Sequence, residues 1–205
     1  MGRKTGKTAM VVLLGLAALS FLYPFYWMLA ASFTKEEYIG QLLFVPNEFT
    51  FDNYLQMFKK IPIGRAFFNS TVVALLVTAG VIVTSSMTGY ALAKLDFKGR
   101  STLFYVLIFT MTLPFQITLI PNYITMVKLN WVDNLVALVI PALNNAFAIL
   151  LFRQAFQQLP DALVAASRVD GCKEWTIVYR ILMPNAVPTI ITVGIITFMN
   201  VWNDV

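Results

Sequence analysis

Apolar residues come in long blocks along this chain, and the charged positions sit almost entirely between the blocks. Uncharged runs of about 19 or more residues lie between Lys7 and Lys35, Arg65 and Lys94, Arg100 and Lys128, Asp133 and Arg153, and Arg180 and Asp204. Each is long enough to cross a hydrocarbon layer of roughly 30 Å as a helix. In lipid the backbone finds no water to bond, and a lone strand leaves its donors and acceptors unpaired, so the blocks predict helices. The expected fold is all-α: one polytopic transmembrane helix bundle over residues 1–205, with spans near 9–33, 67–92, 102–126, 135–152 and 185–204.

Inside such spans the polar residues are the informative ones, because apolar residues are what lipid demands anyway. Pro114, Gln116, Thr118 and Pro121 interrupt the third span. Each proline removes a backbone donor and frees a carbonyl, which predicts a bent helix. Asn144 and Asn145 follow Pro141 near the middle of the fourth span, and Asn200, Asn203 and Asp204 mark the end of the fifth. Amides at such depth need partners from other helices or from water. Gln116, Asn144, Asn145, Asn200 and Asn203 are therefore candidates either for a wet path suited to hydroxyl-rich solutes or for bonds that join helices.

Composition agrees, with hydrophobic residues at 59% and charged residues at 12%, against roughly 25% charged in soluble domains. The net charge of +5 is explained by topology and not by nucleic acid. With the amino terminus in the cytoplasm, Arg3, Lys4, Lys7, Lys94, Lys98, Arg100, Arg153, Arg168, Lys173 and Arg180 fall inside, while Lys35, Lys59, Lys60, Arg65 and Lys128 fall outside. That bias follows the positive-inside rule. It makes residues 34–65 an outer segment, expected to be ordered, whose Phe44, Phe49, Phe51, Tyr54 and Phe58 suit the headgroup level. Glu36, Glu37, Pro46 and Asn47 belong to the same segment. Residues 153–184 become a cytoplasmic loop. The basic start and Ala30, Ala31 and Ser32 also resemble a signal peptide, but the apolar run continues through Phe21 to Trp27, beyond the usual short core, and an uncleaved first helix fits better.

Histidine is absent and Cys172 is the only cysteine, so disulfide frameworks, common zinc sites and histidine acid-base chemistry are excluded from this chain. No G-x-x-x-x-G-K-[ST] phosphate loop occurs. ATP hydrolysis by the usual mechanism is therefore excluded from this chain.

The polar loop contains the stretch Leu159 to Pro184, LPDALVAASRVDGCKEWTIVYRILMP. Asp161 is placed to cap free backbone donors at the start of a short helix, and Gly171 to end that helix in a left-handed turn. A second helix, Lys173 to Met183, should then run into Pro184. Alanines and valines on the first helix could also simply lie on lipid headgroups.

Leu159-Pro160-Asp161, Ala165-Ala166-Ser167-Arg168-Val169-Asp170-Gly171 and Ile181-Leu182-Met183-Pro184 resemble the EAA loop of ABC importer permeases, the membrane subunits of binding-protein-dependent uptake systems. Lys94-Leu95-Asp96-Phe97-Lys98-Gly99-Arg100, Leu113-Pro114-Phe115-Gln116, Ile120-Pro121 and Trp202-Asn203-Asp204 resemble the carbohydrate branch, in its smaller, maltose-type subunit. The resemblance covers nearly the whole chain. It departs at Ala165, where the family usually has glutamate, and at Ser167, where it usually has alanine, so a contact made by that glutamate does not transfer.

This resemblance implies a type I permease fold, here lacking the last helix, since the family continues past Val205 through an outer loop to a further span. It implies a bacterial inner membrane, an ABC ATPase dimer, a second permease subunit and an extracytoplasmic solute-binding protein. The loop would dock on the ATPase through Asp161, Ala165, Ala166, Ser167, Arg168, Asp170 and Gly171, with Asp161 as cap, the small residues allowing close approach, and Arg168 and Asp170 as polar contacts. Two other classes fit a membrane bundle. An intramembrane enzyme needs a nucleophile with its base or paired carboxylates at membrane depth. An ion-coupled carrier needs acids or bases inside the bundle. The middle of these five spans supplies neither.

Overall fold

A computed structural model describes residues 2–35 and 48–204. Glu36, Glu37, Phe44, Pro46 and Asn47 of the outer segment lie outside the described residues, as do the side chains of Arg3 and Lys4. The chain divides into two compact units, residues 1–65 and 66–205.

In the first unit, α1 (Gly2–Ser32) leaves its large apolar side chains exposed along its length, Leu13 and Phe21 among them. A long helix apolar on all sides is what a lipid solvent selects. Beyond it the backbone is tied down locally. Thr34 and Phe49 form an isolated antiparallel bridge, and Phe33 stacks on Phe49 at 4.8 Å between ring centroids. Asn53 Nδ2, on α2 (Asp52–Lys60), donates to Ser32 O and Thr34 O at 3.1 and 2.8 Å. Phe49, Phe51 and Tyr54 of this segment thus pack with Phe33.

The second unit is built around α3 (Ile63–Lys94). Val73, Val77 and Val81, four residues apart, are each fully buried and form one stripe of the core with Phe152, Phe156, Ile177 and Leu182. Four-residue spacing brings side chains to one helix face, which makes α3 the helix on which the core of this unit is built. At Gly89 an added Cβ would lie 2.8 Å from Phe152 Cβ and 2.9 Å from Arg153 N, so the backbone of α3 touches that of the segment carrying Phe152 and Arg153.

Among the described residues two helices, Met10–Ser32 within α1 and Ile63–Lys94, are singly long and apolar enough to cross a bilayer. Three pairs are broken: α4 (Arg100–Thr110) with α5 (Phe115–Lys128) at 99°, α6 (Val136–Ala142) with α7 (Ala146–Gln157) at 41°, and α9 (Glu174–Asn185) with α10 (Val187–Asp204) at 91°. Counting each pair as one span gives five. The bend expected in the third block falls just before Phe115, with Pro114 extended at the N-cap, while Pro121 stays inside α5. The second break follows Pro141, and there Thr84 Oγ1 of α3 lies 3.0 Å from Leu143 O. At the far end of α10, Trp202 stacks on Phe198 and meets the Phe67 ring of α3.

The helix expected to stop at Met183 instead runs through Pro184 to Asn185. Its middle, Ile177–Leu182, is a π-helix, and Met183 N–H donates to Val178 O, five residues back. The missing N–H of Pro184 falls where π spacing changes back to α, and Asn185 Nδ2 donates to Ile181 O at 2.7 Å, so proline does not end the helix. The turn comes at Ala186 instead, with Pro188 in the first turn of α10, where a missing donor costs nothing.

Candidate functional site

The polar loop folds as α8 (Asp161–Val169), a corner, and the start of α9. Its corner is closed by two backbone bonds, Gly171 N to Arg168 O and Cys172 N to Ser167 O, both 3.0 Å. Together with Gly171 at φ 77° they form a Schellman ending, in which a left-handed residue satisfies the last carbonyls of the helix.

Asp161 does not cap α8. The N-cap position is Pro160, in extended conformation, and no side chain caps the helix there; Asp161 is the first helical residue. Its carboxylate turns to Lys94 Nζ at the end of α3, which also donates to Leu159 O at 2.6 Å. The Lys94 side chain is only 4% exposed whereas that of Asp161 is 89% exposed, so a sheltered ammonium meets a water-facing carboxylate. The Lys94 hydrogen bond holds the Asp161 carboxyl below the usual carboxylate range.

A second junction holds the other end of the helix. Arg168 Nε donates to Glu174 Oε1 at 2.9 Å and Arg168 Nη2 to Glu174 Oε2 at 3.2 Å, a two-pronged grip across the corner. The same Nη2 donates to the Tyr90 hydroxyl at 3.2 Å, and that hydroxyl donates to Glu174 Oε2. Arg168 and then Tyr90, both hydrogen-bonded to it, keep the Glu174 carboxyl below its usual range. Tyr90 and Lys94 are four residues apart on one face of α3. One helical turn of the central helix therefore grips both ends of α8.

The grip fixes which face α8 presents. Val164 and Ser167 are buried against the unit, and Ser167 Oγ donates to Leu163 O at 2.6 Å. Ser167 is thus a small residue facing inward, on the face opposite the one sequence reasoning gave it. Ala162, Ala165, Ala166 and Val169 face outward, with Val169 88% exposed, and Asp170 and Gly171 are exposed beside them. Arg168 is exposed too, but its guanidinium is occupied within the loop. The outward stripe is apolar, narrow-shouldered and rigidly mounted, which suits it to close helix packing against another protein.

The Lys94 to Arg100 motif ends α3 by a side-chain cap. Arg100 donates from Nε to Leu92 O at 2.9 Å, from Nη1 to Leu95 O at 3.2 Å and from Nη2 to Ala93 O at 2.9 Å. A cation among the last carbonyls of a helix satisfies groups the helix leaves open.

The candidate path residues are not brought together by hydrogen bonds among the described residues. Gln116 is exposed on α5, Asn144 is exposed at the break after α6, and Asn200 and Asn203 are exposed on α10, where Asn203 Nδ2 donates to Met199 O at 2.8 Å. Asn145 acts locally, its Oδ1 accepting from Ala148 N at 2.9 Å to cap α7. Pro141 precedes the break, and the helix that restarts after it needs an acceptor there. Sequence reasoning missed Tyr90, Lys94 and Glu174 as parts of the loop's mounting. No local signal pointed to them, since their partners lie 84 and 67 residues away along the chain.

Residues 85–205 match the family described as binding-protein-dependent transport system inner membrane component. The chain is 32% identical to the arabinooligosaccharides transport system permease protein of Halalkalibacterium halodurans, over 100% of this chain and 76% of that one. It is 32% identical to the lactose transport system permease protein of Rhizobium radiobacter, over 93% of this chain and 70% of that one. It is 28% identical to the sn-glycerol-3-phosphate transport system permease protein of Yersinia enterocolitica, over 94% of this chain and 72% of that one. The fold is shared with a bacterial ABC transporter involved in the import of the acidic polysaccharide alginate: TM-score 0.82 and 24% identity, over 98% of this chain and 71% of that one.

Proposed function

Because this chain belongs to the family of binding-protein-dependent transport system inner membrane components, we propose that it forms half of the pore of an ABC importer for sugars or sugar derivatives. Its α8 is the part that receives motion from the ATPase. The cargo class is supported by relatives named for arabinooligosaccharides, lactose and glycerol phosphate transport, all rich in hydroxyl groups. The exposed amides of Gln116, Asn144, Asn200 and Asn203 offer the paired donors and acceptors that hydroxyls need. A second permease subunit completes the pore, and an extracytoplasmic binding protein delivers the solute. The chain itself is non-catalytic. It lies in the bacterial inner membrane with its amino terminus in the cytoplasm, the orientation favoured by its basic residues.

ATP and magnesium are held by the partner ATPase dimer and supply the free energy of the cycle. Within this chain the work is mechanical. The stripe of Ala162, Ala165, Ala166 and Val169 seats in the ATPase, and closure of the ATPase dimer moves α8 as a rigid body. Reversing a 1:99 population of inward and outward states requires about 5.5 kcal/mol of differential binding. A helix joined to the bundle at one end would swivel under such a load. The grip of one turn of α3 on both ends of α8 is the observation that carries this reading.

Ala165→Cys in a Cys172→Ser background, assembled with its ATPase, tests it. A short thiol cross-linker should join Ala165→Cys to the ATPase, since that position is exposed whereas Ser167 is buried. Cross-linking to lipid or periplasmic partners alone sinks the proposal.

A further inference from the structure

Two clefts open side by side where α3 ends and α4 begins. The first, about 390 Å³, is polar and lined by Asp96, Gly99, Arg100, Ser101, Thr102 and Arg153. The second, about 350 Å³, is lined chiefly by Met87, Ala91, Leu92, Leu103 and Leu107. Phe97 lines both, so the polar cleft passes into the apolar one. The apolar cleft lies further into the two helices, towards the middle of α3 and of α4.

The Arg153 guanidinium sits 3.9 Å from the Phe104 ring centroid, and its Nε donates to Leu92 O at 3.3 Å. These two contacts fix the plane of the guanidinium. Its terminal nitrogens donate to no protein group among the described residues. Arg100 lies beside it, its three nitrogens donating to the last carbonyls of α3 and its charge partly offset by Asp96, 3.6 Å away, whose carboxylate is fully exposed to water. Two arginines at the mouth of an apolar slot make a site for an amphipathic anion. A planar guanidinium matches phosphate oxygens in fork geometry, and the slot accepts a chain that lies along the helices.

We infer that the paired clefts seat an anionic phospholipid, its phosphate on the terminal nitrogens of Arg153 beside the Arg100 charge and one acyl chain between α3 and α4. A soluble phosphate would leave the apolar cleft empty, and a zwitterionic headgroup would bring its own cation to two arginines. The inference rests on the bundle being embedded in a membrane and not on the docking of α8. A bound lipid would brace the turn of α3 that grips the loop, since Leu92 O is shared by Arg100 and Arg153.

The complete importer complex, purified in detergent and delipidated, can be titrated with phosphatidylglycerol and read by native mass spectrometry. The expected result is retention of phosphatidylglycerol over phosphatidylcholine. Arg153→Gln should weaken that retention about fivefold, Leu107→Trp, which fills the apolar cleft, comparably, and Lys128→Gln not at all. Leu107→Trp decides the matter where Arg153→Gln lowers the yield of complex. Equal retention of both lipids, unchanged binding in both variants, or equal competition by soluble glycerol phosphate overturns the inference. So does a photo-cross-linker at Leu103 that captures a partner subunit in place of lipid. Failure of the importer reading would appear separately, as no ATPase in the purified complex.

Discussion

Tyr90 and Lys94 stand one turn apart on α3 and bind opposite ends of the same short helix, Tyr90 through Arg168 and Glu174, Lys94 through Leu159 and Asp161. A helix fixed at two points cannot rotate about either. The direction of any push on α8 is therefore passed to the longest buried helix of the bundle.

Arg168→Lys keeps the charge but loses the fork, since an ammonium cannot hold both Glu174 oxygens and the Tyr90 hydroxyl with the same geometry. Ligand-stimulated ATP hydrolysis in the assembled complex should fall about fivefold or more, with insertion and assembly intact by membrane fractionation. Arg168→Gln should fall further.

Gly171 occupies φ 77°, where a side chain costs roughly 1–2 kcal/mol. Gly171→Asp should leave the protein inserted and abolish stimulated ATP hydrolysis, because strain and a new charge meet at the corner of the loop. Gly171→Asn, which tolerates left-handed backbone and adds no charge, should retain most of it.

Gly89→Ala places a methyl group against Arg153 N and Phe152, and a backbone atom cannot move aside as a flexible side-chain tip can. The cost should be about 1–3 kcal/mol, seen as a lower melting temperature in detergent. Gly64→Ala, with open space around it, should show no such loss.

The helical blocks, the break at Pro114 and the corner at Gly171 were legible in the sequence because each answers a local demand, whereas the break after Pro141 was not foreseen. Lipid forbids unpaired backbone, proline lacks a donor, and left-handed backbone favours glycine. The mounting of α8 was not legible. Tyr90 and Glu174 are 84 residues apart, and Lys94 and Asp161 67 apart, so no local pattern announces either pair. Asp161 had two available partners, the first backbone donors of α8 and a lysine from another helix, and only the fold decides between them. Ser167 shows the same limit: small size suggested an outward contact, while the helix phase turns it inward beside Val164. The π turn at Ile177–Leu182 has no sequence signature, and it carried the helix past Pro184.

Acid should loosen the loop. The carboxyls of Asp161 and Glu174 are held below their usual range in the folded protein. Their contribution is fully present above the unfolded carboxylate values of about 4 and is lost as pH falls through the lower folded values. Thermal melts of the purified protein between pH 7 and pH 3 should show a falling midpoint at the acid end, and Glu174→Gln should flatten that fall. A midpoint that rises on acidification would contradict the ion pairing.

The most direct test is ligand-stimulated ATP hydrolysis by the reconstituted complex carrying Tyr90→Phe together with Lys94→Met, which removes the side-chain hydrogen bonds of α3 to both ends of α8 while leaving the Arg168–Glu174 pair and the outward stripe untouched. We expect normal assembly and basal hydrolysis, with stimulation reduced about tenfold or more. Wild-type stimulation in that double variant would contradict the claim that α3 transmits the push through its two-point hold on α8.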